Sequence, residues 1–208
     1  FIFDTGANLS TTTQSVADSL GMHFLPGEIT AGTITGEKTT ARLAICDTLE
    51  LGNMIFRNVV FLVLPDQNLS FPQISYRIFG IIGFPVFEAM KEISITQKGD
   101  FIVPEIQSEF SGTSNLALDG LTPLIRIDGK HYSFDTGADN SIFYKRFYDE
   151  NKDEIDQQYN PADIGFGGAA GIKTVSGFSI KQTFNIENRT VTLDSISLLS
   201  EKLKDDEF

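Results

Sequence analysis

The feature that most constrains this chain is an eight-residue segment that occurs twice. Residues 3–10 read FDTGANLS and residues 134–141 read FDTGADNS, so six of the eight positions are identical at an offset of 131 residues. A second match begins at Gly36 and at Gly171 and continues at an offset of 135 residues. Self-similarity of this kind indicates that each copy is one structural unit. We therefore predict that the chain contains two copies of one fold.

Most of each copy reads as β-strand. Residues 39–51 and 56–64 are rich in β-branched and aromatic side chains and are joined by Gly52-Asn53, a tight-turn signal. One short helix is predicted in each copy. The first covers residues 13–20, and the second lies within residues 141–160, where apolar side chains recur at helical spacing.

The junction between the copies predicts the domain organisation. Residues 105–121 include the sequence Ser-Gly-Thr-Ser-Asn, which is typical of a linker. We predict a first domain over residues 1–104 and a second over residues 122–208. A hairpin over residues 124–134 leads into the Asp of the second motif, whereas only three residues precede Asp4 of the first motif. We therefore expect that the first domain lacks its N-terminal strand and that the second lacks its C-terminal part.

Composition disfavours several function classes. The formal net charge of −12 disfavours nucleic-acid binding, which normally needs a basic face. The single cysteine, Cys46, and the widely separated His23 and His131 do not have the spacing of metal ligands. No apolar run is long enough to span a membrane. We expect no metal, no cofactor, no nucleic-acid partner and no membrane span.

The repeated Asp-Thr-Gly triplets predict a chemistry. Two carboxylates placed about 3 Å apart cannot both ionise, so one can act as a general base on water while the other donates a proton. Asp4 and Asp135 are the candidates. In each triplet, Thr offers a hydroxyl that can lock the turn or reach the other copy, and Gly lets the backbone approach closely and adopt a positive φ. The alternative is that both triplets are plain turns in a duplicated β domain.

The motifs resemble those of the retropepsin-like aspartic proteases, and the closest likeness is to bacterial proteins with two such domains in one chain. Phe-Asp-Thr-Gly-Ala occurs twice, a Gly-rich hairpin follows, and Ile81-Ile82-Gly83 is similar to the hydrophobic-hydrophobic-Gly element of the family. Ala7 and Ala138 stand where pepsins typically carry Ser or Thr. The resemblance implies an all-β fold in which two retropepsin-like β-barrel domains of the acid protease type form an internal pseudo-dimer.

The resemblance also implies the site residues. Asp4 and Asp135 would form the catalytic pair, and the residues that support the dyad would be Thr5, Gly6, Thr136 and Gly137. Two hairpins, near residues 31–36 and 165–171, would act as flaps over an extended substrate strand. The candidate substrate contacts in the flaps are Thr33, Ile34, Thr35, Phe166, Gly167 and Gly168. The alternative is that each Gly-rich stretch is a turn without a substrate role.

These implications predict an aspartic endopeptidase that acts on a peptide or protein substrate, as a monomer with pseudo-two-fold symmetry, and that is exported in a bacterium. Two alternatives stay open: a protease that is active only as an intermolecular dimer, and a catalytically silent peptide-binding module of the same fold. Because Ala7 and Ala138 cannot donate a hydroxyl hydrogen bond to the carboxylates, we expect a mildly acidic pH optimum.

Overall fold

The computed structural model describes residues 1–33, 35–109, 114–168, 171–186 and 189–203. Within these ranges the α-helices are α1 (Gln14–Ser19), α2 (Phe84–Met90) and α3 (Lys145–Gln158), and short 3-10 helices cover Asp66–Leu69 and Pro72–Ile74. The strands are β1 (Ile2–Phe3), β2 (Ser10–Thr13), β3 (His23–Phe24), β4 (Ile29–Gly32), β5 (Lys38–Leu51), β6 (Met54–Leu64), β7 (Ser70–Phe71), β8 (Tyr76–Arg77), β9 (Gly80–Ile82), β10 (Ser94–Ile95), β11 (Phe101–Ile102), β12 (Leu116–Asp119), β13 (Thr122–Ile127), β14 (Lys130–Ser133), β15 (Ile142–Phe143), β16 (Pro161–Gly168), β17 (Gly171–Ile186) and β18 (Arg189–Leu199).

These elements pack into two compact units, and neither unit is continuous in sequence. Unit 1 contains Phe1–Glu28, Arg42–Asp66 and Ile78–Gly137. Unit 2 contains Ile29–Ala41, Gln67–Arg77 and the described residues from Ala138 onward. The units are defined by packing, whereas the domains predicted over residues 1–104 and 122–208 are defined by the repeat, and the latter remain a prediction.

The main sheet of unit 1 has the strand order β1-β9-β2-β6-β5-β3. The long hairpin of β5 and β6 turns at Gly52, whose positive φ of 59° suits glycine. Strand β2 lies inside the sheet, parallel to β6 and antiparallel to β9, and all four of its residues are buried. Strand β1 is parallel to β9, with Ile2 opposite Ile81 and Phe3 opposite Ile82. This pairing places the chain after β1 beside the chain after β9.

The core of unit 1 forms between this sheet and helices α1 and α2. Its buried members are Ala17, Met22, Ala44, Phe61, Val63, Ile82, Phe84, Val86, Phe87 and Met90. Phe3 packs at the edge of the core against Phe87 and Phe101, with ring centroids 5.9 Å and 5.0 Å away. Helix α2 adds one helix to the predicted one per domain. Its short, mostly apolar sequence resembles a strand, but Pro85 stands in its first turn, where the missing N–H has no cost.

A separate three-stranded sheet in unit 1 leads to the second motif. Strands β12, β13 and β14 form an antiparallel meander. The β13–β14 turn has positive φ at Asp128 (49°) and Gly129 (79°), which is the tight hairpin turn that the sequence predicts. Phe134 then extends the sheet by donating its N–H to Pro123 O at 2.9 Å. The motif therefore starts at a fixed strand end.

Unit 2 is built on the four-stranded sheet β15-β18-β17-β16. The hairpin of β17 and β18 and the hairpin of β16 and β17 are both antiparallel. Strand β4 pairs with the first residues of β5, from Lys38 to Ala41, to make a further hairpin in this unit. Phe166, Val175, Leu199 and Leu203 form a buried cluster. Helix α3 packs its apolar side inward at Ile155, within the range predicted for the second helix.

The described chain is therefore mostly β with few helices, consistent with an all-β protease fold. The prediction of β-barrel domains is not matched, because no closed barrel occurs among the described residues. Strands β1 and β3 are the two edges of the main sheet in unit 1, and β15 and β16 are the edges of the four-stranded sheet in unit 2. Each of these sheets is open.

Candidate functional site

The Asp4 loop is held by backbone hydrogen bonds that start where β1 ends. The Asp4 N–H donates to Ile82 O at 3.0 Å, so the first residue after β1 is still tied to β9. The Ala7 N–H donates to Asp4 Oδ1 at 2.9 Å. The loop closes on helix α2, because the Phe84 N–H donates to Ala7 O at 2.8 Å. The carboxylate of Asp4 is therefore fixed by its own turn, and the turn is fixed by neighbouring elements.

Ile81-Ile82-Gly83, singled out in the sequence, supports this loop. The Gly83 N–H donates to the buried Ser10 Oγ at 3.0 Å. A Cβ at Gly83 would lie 2.5 Å from the Leu9 carbonyl carbon and 2.7 Å from Ser10 N, so a side chain there would collide with backbone. Ser10 was not among the predicted site residues, although its recurrence as Ser141 in the second motif was a signal for it.

The Asp135 loop has a similar internal bond. The Gly137 N–H donates to Asp135 Oδ1 at 2.8 Å. Asp135 and Asp4 are both half-buried, so each carboxylate is partly open to water. Both loops belong to unit 1. The structure thus brings two carboxylates that are 131 residues apart into one place, and each carboxylate accepts a backbone N–H from its own loop.

Four reciprocal hydrogen bonds, which we call the threonine lock, join the two loops. The Thr5 N–H donates to Thr136 Oγ1 at 3.2 Å, and the Thr136 N–H donates to Thr5 Oγ1 at 3.1 Å. The Thr5 hydroxyl donates to Phe134 O at 2.5 Å, and the Thr136 hydroxyl donates to Phe3 O at 2.9 Å. Each hydroxyl therefore accepts one hydrogen bond and donates another, and Thr5 is only 2% exposed. The acceptor carbonyls of Phe3 and Phe134 were missed by sequence reasoning, because backbone acceptors carry no residue signal.

Gly6 and Gly137 let the opposite loop approach closely. A Cβ on Gly6 would lie 2.5 Å from Asp135 Cγ, and a Cβ on Gly137 would lie 2.6 Å from Asp4 Oδ2. Neither glycine has a positive φ. The predicted close approach is therefore found at both glycines, whereas the predicted positive φ is wrong, because the space beside the opposite carboxylate and not a left-handed backbone excludes a side chain.

Burial and a second carboxylate change the acidity of Asp4. Burial, then the negative charge of Asp135, then a hydrogen bond with Asp135 raise the pKa of Asp4 from 3.8 to about 6. Backbone N–H groups of Ala7 and Gly6 act in the opposite direction but do not cancel the rise. A carboxyl group with this pKa is protonated in mildly acidic solution. Because it lies beside a second carboxylate, the two groups can share one proton.

The residues predicted as flap contacts lie in unit 2, in two hairpins. Thr33 and Thr35 are in the turn between β4 and β5, where their hydroxyls are 2.9 Å apart, and Ile34 lies outside the described residues. Gly167 is exposed and Gly168 is half-buried on β16. The Phe166 side chain is only 7% exposed, because it packs in the cluster of Val175, Leu199 and Leu203. The resemblance implies a substrate contact at Phe166, but the alternation of side chains along β16 directs its ring into the core.

Two further properties concern metals and membranes. Across the described ranges, no group of three or more His, Cys, Asp or Glu side chains is arranged to hold a metal ion. Helices long and apolar enough to cross a bilayer are likewise not found in the part of the chain that the structure describes.

Comparison with known protein families gives a match over the first part of the chain. A family model described as aspartyl protease matches residues 1–86, a range that contains Asp4, the support residue Ser10 and Ile81-Ile82-Gly83. No curated protein and no solved structure matches the chain. The match covers less than half of the 208 residues, so residues 1–86 are similar to the aspartyl protease family, and with the mostly β structure this supports a protease of that kind.

Proposed function

We propose that this protein is an aspartic endopeptidase whose catalytic pair is Asp4 and Asp135. The observation that carries the proposal is the threonine lock, which holds the two Asp-Thr-Gly loops against each other. The raised pKa of Asp4 supports it, because a proton shared between two carboxylates is what this chemistry requires. We assign Thr5, Gly6, Thr136 and Gly137 to support of the dyad.

The reaction would use one proton and one water molecule. The ionised carboxylate takes a proton from water while the water oxygen attacks the scissile carbonyl carbon. The protonated carboxylate gives its proton to the carbonyl oxygen, so that a tetrahedral diol forms. The C–N bond then breaks as the amine nitrogen receives the proton that was taken from water, while one hydroxyl of the diol passes its proton to the other carboxylate, so that the dyad again holds one proton. The two carboxylates titrate as a pair, so neither role is fixed to Asp4 or to Asp135 in the free enzyme.

The fold-level proposals follow from the repeat and the family resemblance. We propose that residues 1–104 and 122–208 are retropepsin-like domains joined by the linker 105–121, in an internal pseudo-dimer that is active as a monomer. The Gly-rich hairpins would contact an extended peptide through their backbone. Thr33, Ile34, Gly167 and Gly168 are the proposed contacts, and Thr35 and Phe166, which are buried, would support their hairpins from inside.

The test is cleavage of a diverse peptide library from about pH 3 to pH 8, with single variants at the dyad. Asp4→Asn and Asp135→Asn should each lower cleavage by at least about 100-fold, because each removes one half of the proton exchange. Asp119→Asn, an exposed carboxylate at the end of β12, is the matched control and should cleave like the wild type. Substantial activity in either dyad variant would reject the shared dyad.

Two further outcomes separate the alternatives. Cleavage only by a species of twice the chain mass would favour the intermolecular dimer. Binding of peptides from the same library without cleavage at any pH would favour the catalytically silent peptide-binding module.

A further inference from the structure

One lysine side chain in unit 2 joins three segments that are distant in sequence. Lys173 Nζ donates to Leu203 O at 2.6 Å and to Thr35 O at 3.4 Å. Thr35 is in the turn of the β4–β5 hairpin, Leu203 follows β18, and Lys173 is on β17. An ammonium has three N–H donors and no acceptor, so it is suited to binding several carbonyl oxygens. Lys173 therefore bridges the two Gly-rich hairpins, β4–β5 and β16–β17.

Hydrogen bonds join described residues of the turn that receives this bridge. The Gly36 N–H donates to Thr33 O at 3.0 Å, and the Thr33 N–H donates to Glu37 O at 3.0 Å. Gly36 has a φ of 83°, a conformation that favours glycine. Thr35 is only 3% exposed. The bond from Lys173 to Thr35 O therefore reaches a buried residue between Thr33 and Gly36.

The opposite end of the bridge is equally fixed. Leu203 is 1% exposed and packs with Phe166 and Val175. Lys173 lies opposite Phe166 in the β16–β17 ladder, so its backbone is tied to the same core. Displacement of either hairpin would stretch the Lys173 bonds or disturb this core. The Lys173 ammonium group thus makes a direct link between the two hairpins.

We propose that Lys173 is a positioning residue that couples the β4–β5 and β16–β17 hairpins, so that the two move as one body when a peptide binds. The peptide part of this inference rests on the proposed function, whereas the coupling of the hairpins does not. Lys173 has no assigned part in the bond-breaking steps.

The variants are chosen so that the bridge is lost without loss of volume. Lys173→Met keeps a flexible side chain of similar length but removes both hydrogen bonds. Lys173→Arg keeps the charge and N–H donors. Lys181→Met is the matched control, because Lys181 lies on the same strand and its Nζ pairs at 2.6 Å with Asp194 on the exposed side of the β17–β18 hairpin.

The first measurement is amide hydrogen exchange of the full chain. In Lys173→Met, amides of residues 29–41 and 161–178 should both exchange about tenfold faster, because a charged donor to two carbonyls is lost. Amides of the β5–β6 ladder, which belongs to unit 1 from Arg42 onward, should not change. Lys173→Arg should restore slow exchange, and Lys181→Met should match the wild type.

The second measurement is peptide hydrolysis. Lys173→Met should raise KM about tenfold and change kcat by less than about twofold, since the loss affects binding of the substrate and not its chemistry. A general loss of folded protein would instead lower the apparent kcat without this change in KM. Lys173→Arg should recover the wild-type KM.

The outcomes are distinct. Unchanged exchange in a folded Lys173→Met variant, or faster exchange in only one hairpin, overturns the coupling. If Lys173→Met does not fold, Lys173→Gln, whose side chain is one bond shorter, should give the same faster exchange in both hairpins. If both hairpins exchange faster but the wild type cleaves no peptide at any pH, the coupling stands and the proposed function fails.

Discussion

Replacing Asp4 by Asn should stabilise the folded protein at alkaline pH. Burial and the charge of Asp135 raise the pKa of Asp4 to about 6, so the folded state disfavours the ionised form. A group whose pKa is higher in the folded state contributes full stability below its unfolded pKa, here near 3.8, and loses that contribution as pH rises through about 6. Asn has the shape of Asp, keeps an oxygen that can accept the Ala7 N–H, and carries no charge.

The expected size follows from the pKa difference. One pKa unit corresponds to about 1.4 kcal/mol, so the rise from 3.8 to about 6 sets an upper limit of about 3 kcal/mol. Asp4 is half-buried, and solvent screening lowers this value to about 1.5 kcal/mol. At about pH 3.5 Asp4 of the folded wild type is already neutral, so Asp4→Asn should change the free energy of unfolding by close to zero there.

Urea unfolding at about pH 3.5 and about pH 8 measures the free energy of unfolding of Asp4→Asn, the wild type and the exposed control Asp119→Asn. At pH 8 the Asp4→Asn variant should also melt about 3–6 °C above the wild type. The control should show no comparable gain at either pH. An Asp4→Asn variant that is no more stable than the wild type at pH 8, or that gains equally at both pH values, would refute the reasoning.

Two other predictions concern activity. Cleavage should fall as pH rises through about 6, because Asp4 then loses the proton that the dyad must hold, and a pH–rate profile that stays flat to about pH 8 would contradict this. Gly137→Ala should abolish cleavage and lower stability by about 1–3 kcal/mol, because the new Cβ would meet the Asp4 carboxylate. Gly165→Ala is the matched control for stability, since no atom lies within 4 Å of its Cβ position. An equal loss of stability from both substitutions in the same urea unfolding assay would argue against close approach as the cause.

Features with a local cause could be predicted from the sequence. Gly52-Asn53 between two β-rich runs predicts the β5–β6 hairpin, and Asp128-Gly129 predicts the β13–β14 turn, since each turn needs a residue that tolerates positive φ. The apolar spacing at Phe147 and Ile155 predicts helix α3, whereas Phe143, which fits the same spacing, lies on β15. In each case the residue type and its spacing directly limit the conformation that the local backbone can adopt.

Features that depend on distant packing could not be predicted. Helix α2 has too few polar residues to show a helical period, and its position follows from the fit of Phe84 and Phe87 into the core. The burial of Phe166 comes from Leu199 and Leu203, more than thirty residues away in sequence. The division of the chain into two discontinuous units has the same origin, because no local pattern reports which distant segments will pack together.

The threonine lock also limits how these two loops can change over time. Each hydroxyl serves one partner as acceptor and another as donor, so the loss of Thr5 alone would leave the Thr136 N–H and Phe134 O without their partners. Both partners are backbone groups, so no substitution at Thr136 removes them, and leaving each of them unsatisfied costs about 1–3 kcal/mol. The same holds for Thr136, whose hydroxyl serves the Thr5 N–H and Phe3 O. Variation at either position is therefore limited to side chains that place a hydroxyl at the same point, as Ser can.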